Sequence, residues 1–288
     1  MFQKQLKCLW VRDTMSIMKK LLTFTAMIGA IVLSFYFYFT QVGRVRARVN
    51  EIFVVSPHIP PSFDGERIVQ ISDLLIRNEA SMEMLENMVE AVNMLDPDIV
   101  VLTGNLFLPE GFIFESRVTS LLSNLDASLR SVAVLGYHDV STVEHYERTV
   151  NVLQDAGFVV LANTSIEIYN QAPEGINIIG AAPTLNDETL NQLLDVHVKA
   201  DRFNLLLMSM PTFSSVSVER SVHLQLSGHC LGRRDLAQPS APCFQFYSGI
   251  YQFADVLTLN VSDGAARFHT ISGLVRRPSI DSFLFIRQ

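Results

Sequence analysis

The chain has 288 residues, of which 49% are hydrophobic and 18% are charged, which excludes a disordered protein because disordered chains lack the apolar residues to form a core. Residues 1–50 hold eight Lys or Arg against one Asp, so the remaining residues carry a net charge of −14 within an overall charge of −7. A globular part this acidic is a poor partner for a phosphate backbone, and the three cysteines exclude both a disulfide framework and a cysteine-based zinc module.

The first element along the chain is a stretch of 20 residues without a charge, Leu21–Thr40. A helix of that length spans roughly 30 Å, the hydrocarbon thickness of a bilayer, so we predict a single membrane-spanning anchor. A cleaved signal peptide is the alternative, which the length of the stretch and the lack of a small-x-small site after it disfavour. Five basic residues precede the stretch and three follow it closely, which predicts a cytoplasmic N-terminus and a globular domain outside the cytoplasm.

Prolines at 57, 60 and 61 lead us to predict a tether after the anchor. The predicted organisation is therefore a basic segment over 1–20, the anchor over 21–40, the tether over 41–64 and one globular domain over 65–288.

In the domain, apolar residues at helical spacing predict helices over 82–95, 118–129 and 143–156. Short apolar runs predict strands at Arg67–Ser72, Asp98–Thr103, Ser131–Leu135, Phe158–Leu161, Ile166–Tyr169, Ile176–Gly180, Phe203–Met208, Val222–Ser227, Ile250–Phe253, Val256–Val261 and Ser282–Ile286. This order predicts a layered α/β domain with helices outside the sheets and more strands than helices in its second half.

Functional groups in such folds collect on the loops that leave the carboxyl ends of strands. Five of these loops read ISDLL, TGN, GYHD, MSMP and SGHCLG. In this order they resemble the motifs of the calcineurin-like metallophosphoesterases, in particular a membrane-anchored bacterial branch: D-x-H, G-D, G-N-H-D/E, S-H before a short x-P, and G-H-x-H. The resemblance runs from Arg67 to Arg287 and implies a layered β-sandwich flanked by helices. It also implies phosphoester hydrolysis by two divalent metals held about 3.5–4 Å apart.

Carried over residue by residue, the resemblance leaves few metal ligands in place. Asp73 matches the first carboxylate ligand, His229 matches the first histidine of G-H-x-H, and Asn105 replaces the bridging aspartate with a neutral, weaker donor. His138 matches the residue that acts on the leaving group in the family. The other ligand positions hold side chains that are poor metal ligands, namely Leu75, Tyr137, Ser209 and Leu231. Because protein metal sites use three or four ligands, we expect the di-metal centre to be degenerate.

Three functions follow from these departures. The first is a membrane-anchored pseudo-phosphoesterase without a cofactor, which binds a membrane protein or another partner. The second is a hydrolase with a rearranged site that uses Mn, Fe or Zn on an amphiphilic or nucleotide-sugar phosphate. The third is a lipid or anion binder in which Arg233 and Arg234 contact phosphate. The sequence leaves open the oligomeric state and a disulfide between Cys230 and Cys243, which an extracytoplasmic domain would permit.

Overall fold

The structure is a computed structural model that describes residues 2–37, 47–183, 185–212, 214–233, 242–253, 256–266 and 277–288. It divides the chain into two units, Met1–Arg44 and Val45–Gln288. The first unit contains helix α1 (Phe2–Phe37). Within the described residues, Lys19–Phe37 is the one helical stretch long and apolar enough to cross a membrane. The hydroxyl groups of Thr23 and Thr25 are compatible with lipid because they donate to backbone carbonyls of the preceding turn.

The second unit contains two six-stranded sheets. The first sheet has the order β1-β12-β2-β3-β4-β5 and the second has the order β10-β11-β9-β8-β7-β6. In the first sheet the strands are β1 (Arg48–Ser56), β2 (Arg67–Ile71), β3 (Ile99–Thr103), β4 (Arg130–Val134), β5 (Val159–Leu161) and β12 (Ser279–Arg287). In the second they are β6 (Thr164–Tyr169), β7 (Gly175–Ala181), β8 (Phe203–Met208), β9 (Leu224–Ser227), β10 (Gly249–Phe253) and β11 (Leu257–Val261).

Apolar side chains of both sheets form the core between them, and helices cover the two outer faces. Buried residues such as Val101 and Val132 of the first sheet belong to the same core cluster as Leu205 and Leu226 of the second. The outer face of the first sheet packs against α2 (Glu79–Asn93), α3 (Glu115–Leu122) and α4 (Val143–Asp155), and that of the second packs against α5 (Asp187–His197) and α6 (Ser214–Glu219). A short helix, α7 (Pro242–Gln245), precedes β10. The predicted layered α/β sandwich, flanked by helices and preceded by one apolar helix, is confirmed.

Four elements of the domain, β1, α5, α6 and α7, are absent from the sequence prediction, and α3 ends at Leu122 although a helix to 129 was predicted. Residues 48–56, within the predicted tether, form β1, which pairs in parallel with β12 over its whole length. The run IFVV lacks a clean alternation of apolar and polar residues, and the prolines that suggested a tether lie just beyond the strand. Helix α5 was not predicted either, although Leu190, Leu193 and Leu194 form a buried stripe at helical spacing and Asn186 supplies a capping box.

The topology places the carboxyl ends of the central strands together. Strands β2, β3, β4 and β5 are parallel in the first sheet, and β7, β8, β9 and β11 are parallel in the second. A buried amide joins the two sheets near this end, since Gln70 Nε2 donates to the Thr103 hydroxyl and to the carbonyl of Ser227, both at 2.9 Å. Asn260 Nδ2 in turn donates to Gln70 Oε1 at 3.0 Å. These bonds fix the position of one sheet relative to the other next to the functional loops.

Candidate functional site

All five predicted loops meet at the carboxyl ends of the two sheets. The loop after β2 bonds to the loop after β3 through Asp73 N and the carbonyl of Gly104 at 3.0 Å. Within the second sheet, Gly228 N donates to the carbonyl of Ser209 at 2.9 Å. The segment after β11 closes the site from the other side, because Ala266 N donates to the carbonyl of Asp73 at 2.9 Å. The topology therefore brings together the residues that the sequence analysis singled out.

The Asp73 carboxylate is buried, and both its oxygens accept hydrogen bonds. Oδ1 accepts from Asn105 Nδ2 at 2.7 Å, and Oδ2 accepts from the Ser72 hydroxyl at 2.7 Å and from the backbone N–H of His229 at 2.8 Å. Burial raises the pKa of Asp73 above its ordinary value, against the lowering effect of these three donors. A single carboxylate thus joins the loops after β2, β3 and β9.

The orientation of the Asn105 amide is fixed by its neighbours on both sides. Its Oδ1 accepts from the backbone N–H of His138 at 3.1 Å, so that Nδ2 faces Asp73. A flipped amide would place two acceptors opposite each other at Asp73 and two donors opposite each other at His138. The side of Asn105 that faces Asp73 is therefore a hydrogen-bond donor.

Asp139 is a structural carboxylate that the sequence analysis did not single out. It is buried, and its oxygens accept from the backbone N–H groups of Asn105 at 2.7 Å, Gly136 at 2.7 Å and Leu106 at 2.9 Å. Burial raises the pKa of Asp139 to about 6, although these amide donors act in the opposite direction. The signal was available, because Asp139 is the last residue of the G-Y-H-D loop. It holds the loops after β3 and β4 in register.

Two of the three predicted residues that the second sheet contributes have side-chain polar atoms without partners in the described part of the chain. Among the described residues, neither the buried Ser209 hydroxyl nor Nδ1 of His229 has a hydrogen-bond partner. Burial lowers the pKa of His229; the Asp73 charge opposes this shift, whereas His138 adds to it. His229 therefore interacts electrostatically with both Asp73 and His138.

The remaining predicted positions contribute no polar group to the centre. Leu75 is buried, with 7% of its surface exposed, while Tyr137 is 58% exposed and meets the His138 ring edge-on at 5.9 Å. Leu231 and Asp73 both lie next to Gly264, since a Cβ added to this glycine would lie 2.8 Å from Leu231 Cδ2 and 3.0 Å from Asp73 Cβ. Several of these loop residues have left-handed backbones despite their side chains, with φ of 44° at Leu75, 58° at Asn105 and 52° at Leu231. Residues other than glycine and asparagine rarely adopt this conformation, so the loop geometry costs the chain free energy at both leucines.

The side chains present do not fit a pair of divalent cations. A bridging position needs an anionic or neutral oxygen directed at both metals, whereas the Asn105 amide directs N–H groups at Asp73. Of the His, Cys, Asp and Glu side chains in the described part of the chain, no three lie together as a possible metal site. The donors around Asp73 are hydrogen-bond donors from the protein itself, and they satisfy the carboxylate without a metal ion.

A disulfide supports the loop that carries His229. Cys230 bonds to Cys243, which lies 13 residues further along the chain in α7, with 5.4 Å between the Cα atoms. The sequence analysis left this bond open, and the structure contains it. The covalent link restrains the residue next to His229. Of the two arginines suggested as phosphate contacts, Arg233 is described, and Arg234 lies outside the described residues.

Comparisons with known proteins agree with the resemblance. YkuE of Bacillus subtilis, an uncharacterized metallophosphoesterase, is 28% identical over 191 residues, 64% of this chain and 64% of YkuE. A transmembrane protein with a metallophosphoesterase domain from Bos taurus is 23% identical over 237 residues, 76% of this chain and 53% of that protein. The UDP-2,3-diacylglucosamine pyrophosphatase LpxG of Chlamydia muridarum is 35% identical over 78 residues, 27% of this chain and 24% of LpxG.

The share of each relative that these matches cover determines what they establish. The chain spans between 24% and 64% of the length of these curated relatives, and no protein-family model matches it. Two of these relatives are named as metallophosphoesterases, and one of the two is also named as a transmembrane protein. The similarity therefore bears on the family, and the activity in a relative's name is a property of that relative.

Proposed function

We propose that this chain, as a member of the calcineurin-like metallophosphoesterase family, is anchored in the membrane, has a degenerate di-metal centre and acts by binding. The observation that carries this proposal is the hydrogen bond from Asn105 Nδ2 to Asp73 Oδ1 at 2.7 Å. It lies between the two positions at which the family places a metal-ligating carboxylate and a bridging carboxylate. In this proposal Asp73, Asn105, His138 and His229 are remnants of the site, and Leu75, Tyr137, Ser209 and Leu231 are lost ligand positions.

In this proposal the Asn105 amide takes the place of the cations, because it donates a hydrogen bond to the Asp73 carboxylate. Two dications close together require a bridging anion to offset their repulsion. Asn105 carries no charge, and turning its oxygen toward a metal would break its bonds with Asp73 and with the His138 backbone. The protein would then also lose the only pairing of Asp73 Oδ1 among the described residues. Hydrogen bonding therefore favours the metal-free arrangement.

For the location of the domain we propose an extracytoplasmic position, with the N-terminus in the cytoplasm. The excess of basic residues before the apolar helix supports this topology, and the bond between Cys230 and Cys243 supports an oxidising compartment. Fusion of a reporter enzyme that is active only outside the cytoplasm to Gln288 tests the proposal. Activity of the fusion agrees with it, and activity only of a reporter that works inside the cytoplasm contradicts it.

Metal analysis and turnover of the purified full chain test the loss of the centre. We expect less than one equivalent of Mn, Fe or Zn per chain, and no phosphodiester hydrolysis with added Mn²⁺. The matched comparison is the revertant that carries Leu75→His, Asn105→Asp, Tyr137→Asn, Ser209→His and Leu231→His together. We expect metal binding in this multiple revertant and in none of the single ones, because one ligand adds too little affinity. Two tightly held metals in the unaltered chain would overturn the proposal.

The second candidate function is a metal-dependent hydrolase with a rearranged site. It is favoured by Nδ1 of His229, which has no hydrogen-bond partner in the described part of the chain and so remains available to a ligand. An amphiphilic or nucleotide-sugar phosphate is the first substrate to test, and LpxG is named as a pyrophosphatase of such a compound. Turnover that His229→Gln and Asp73→Asn abolish, and that Tyr137→Phe leaves unchanged, would favour this function over the first.

A further inference from the structure

A small cavity lies beside the Asp73 centre, between the loop after β2 and the start of α2. Its volume is about 90 Å³, and its apolar walls come from Leu74, Leu75, Met84 and Leu108. Leu74, Leu75 and Met84 are buried, so these walls belong to the core of the domain. Leu75 has a double position, because it occupies a lost ligand position of the centre and also forms part of this apolar wall.

The backbone holds these walls in place. Leu75 N donates to the carbonyl of Asn105 at 3.0 Å, and Leu108 N donates to the carbonyl of Ile76 at 3.0 Å. Ile76 and Phe107 form a parallel bridge between the same two segments. The loops after β2 and β3 are thus bonded to each other along one wall of the cavity. A cavity with such walls is already formed before a ligand arrives.

The rim of the cavity carries a positive charge. Arg77 is exposed there, and its guanidinium forms no ion pair with any carboxylate in the described part of the chain. The neighbouring acid Glu79 is engaged by Arg117 at 2.8 Å and does not neutralise it. The first turn of α2 is closed by its own side chains, because Asn78 Oδ1 accepts from Ser81 N and the Ser81 hydroxyl accepts from Asn78 N. The positive charge at this rim is therefore that of Arg77, because the N–H groups at the start of the helix are already engaged.

We propose that this cavity binds the end of an unbranched aliphatic chain whose anionic group pairs with Arg77. An apolar cavity of roughly 150 Å³ takes a benzene ring, so a volume of 90 Å³ favours a few methylene groups of an alkyl chain over a ring. A guanidinium pairs with carboxylates and phosphates alike, so the ligand is a single-chain anionic amphiphile such as a fatty acid or an alkyl phosphate. This inference rests on the proposed binding function and names the ligand class that the site would take.

The test measures binding of short alkyl phosphates, carboxylates and alcohols to the full chain in phosphatidylcholine nanodiscs by calorimetry, with empty nanodiscs as the blank. From methyl to octyl chains we expect affinity to rise about fourfold per methylene and to stop rising once the few methylene groups that 90 Å³ can hold are in place. Binding of phosphates and carboxylates supports a general anion site, and binding of phosphates alone narrows the class to alkyl phosphates. Alcohols should bind more weakly than either anion.

Three variants and one control locate the ligand. Arg77→Gln should weaken the binding of both anions about tenfold or more and leave that of alcohols unchanged. Arg130→Gln is the matched control, since Arg130 is an exposed arginine at the opposite end of β4 and should have no effect. Ala80→Leu, at an exposed rim position on α2, should shorten the chain length at which affinity stops rising. Met84→Ala, in the wall, should lengthen it.

The inference is overturned if affinity does not depend on chain length, if Arg130→Gln weakens binding as much as Arg77→Gln, or if empty nanodiscs account for the signal. These outcomes are separate from those of the proposed function. Two bound metals with phosphoester turnover would contradict the loss of the centre even if the amphiphile binds as expected. Absence of amphiphile binding in a metal-free, inactive chain would contradict the cavity assignment alone.

Discussion

On the side of the first sheet, every carboxylate oxygen of Asp73 and Asp139 accepts a hydrogen bond. On the side of the second sheet, the Ser209 hydroxyl and Nδ1 of His229 have no partner among the described residues. The two sheets contribute to one site, yet only the first has a closed network. The replacement on the first sheet, Asn105, is an amide that donates to the remaining carboxylate. On the second sheet, serine and leucine stand where the family has imidazoles, and the Ser209 hydroxyl is unsatisfied in the part of the chain that the structure describes.

On the first sheet a replaced ligand makes a new hydrogen bond, whereas on the second sheet ligands are simply lost. A donor introduced next to a buried acceptor satisfies that acceptor, and the network becomes stable without a metal ion. A small or apolar residue in place of a ligand leaves the neighbouring polar atoms with unused hydrogen-bonding capacity. We therefore expect substitutions on the first sheet to cost stability, and substitutions on the second sheet to have smaller effects.

The largest expected effect is that of Asp139→Ala. This change removes the acceptor of three buried backbone N–H groups, those of Asn105, Leu106 and Gly136. With roughly 1–3 kcal/mol lost for each unsatisfied group, we expect a loss of about 4 kcal/mol in the free energy of unfolding. Thermal unfolding of the full chain in mild detergent should show a Tm lower by about 12 °C. Asp139→Asn, which keeps one acceptor oxygen, should lose about half as much. A loss below about 1 kcal/mol for Asp139→Ala would show that the network is not closed at this point.

The second effect is that of Asn105→Asp, which places two carboxylates against each other where an amide now donates to Asp73. We expect a loss of about 3 kcal/mol at neutral pH, because the bond at 2.7 Å becomes a repulsive contact between buried anions. Asn105→Ala removes the bond without adding charge and should cost about 1–2 kcal/mol less than Asn105→Asp. Thermal unfolding with and without excess Mn²⁺ provides the measurement. A large rise of Tm with Mn²⁺ in the single variant would mean that the second sheet still supplies enough ligands.

The sequence predicts which residues lie in this site better than it predicts which hydrogen bonds they make. The order of strands and loops brings Asp73, Asn105, His138 and His229 together because parallel strands end at the same edge of a sheet. The direction of the Asn105 amide could not be predicted, since it depends on the backbone N–H of His138 in another loop. The role of Asp139 as an acceptor of backbone donors depends likewise on tertiary contacts between loops. Strand β1 shows the same limit, because its pairing partner β12 lies at the other end of the chain.

The third effect is a loss of stability in acid that originates on the second sheet. Strand β9 has a histidine close to each end, and burial, with a smaller contribution from His58, lowers the pKa of His223 from 6.5 to about 4. Its Nδ1 accepts from the backbone N–H of Asn204 at 2.9 Å, a bond that protonation of this nitrogen would break. The unfolded chain binds a proton at higher pH than the folded chain, so stability is full above pH 6.5 and falls as the pH drops toward 4.

We expect this loss to be on the order of 1–2 kcal/mol for His223, discounted for its partial exposure. His223→Gln should remove that part of the acid-dependent fall in Tm, and His229→Gln should remove a further part, because burial lowers the pKa of His229 as well. Tm measured as a function of pH for the unaltered chain and both variants provides the comparison. A fall in acid that neither variant reduces would place its origin in groups other than these two histidines.

The smallest expected effect is the difference between substitutions at two buried serines, one from each side of the site. The Ser72 hydroxyl donates to Asp73 Oδ2 at 2.7 Å, whereas the Ser209 hydroxyl has no partner among the described residues. Ser72→Ala should therefore cost about 1–1.5 kcal/mol, because a buried carboxylate loses a donor. Ser209→Ala should change the free energy of unfolding by less than about 0.5 kcal/mol or raise it, because it removes an unsatisfied buried hydroxyl. Equal losses for the two variants would mean that the Ser209 hydroxyl has a partner and that the second sheet is as fully bonded as the first.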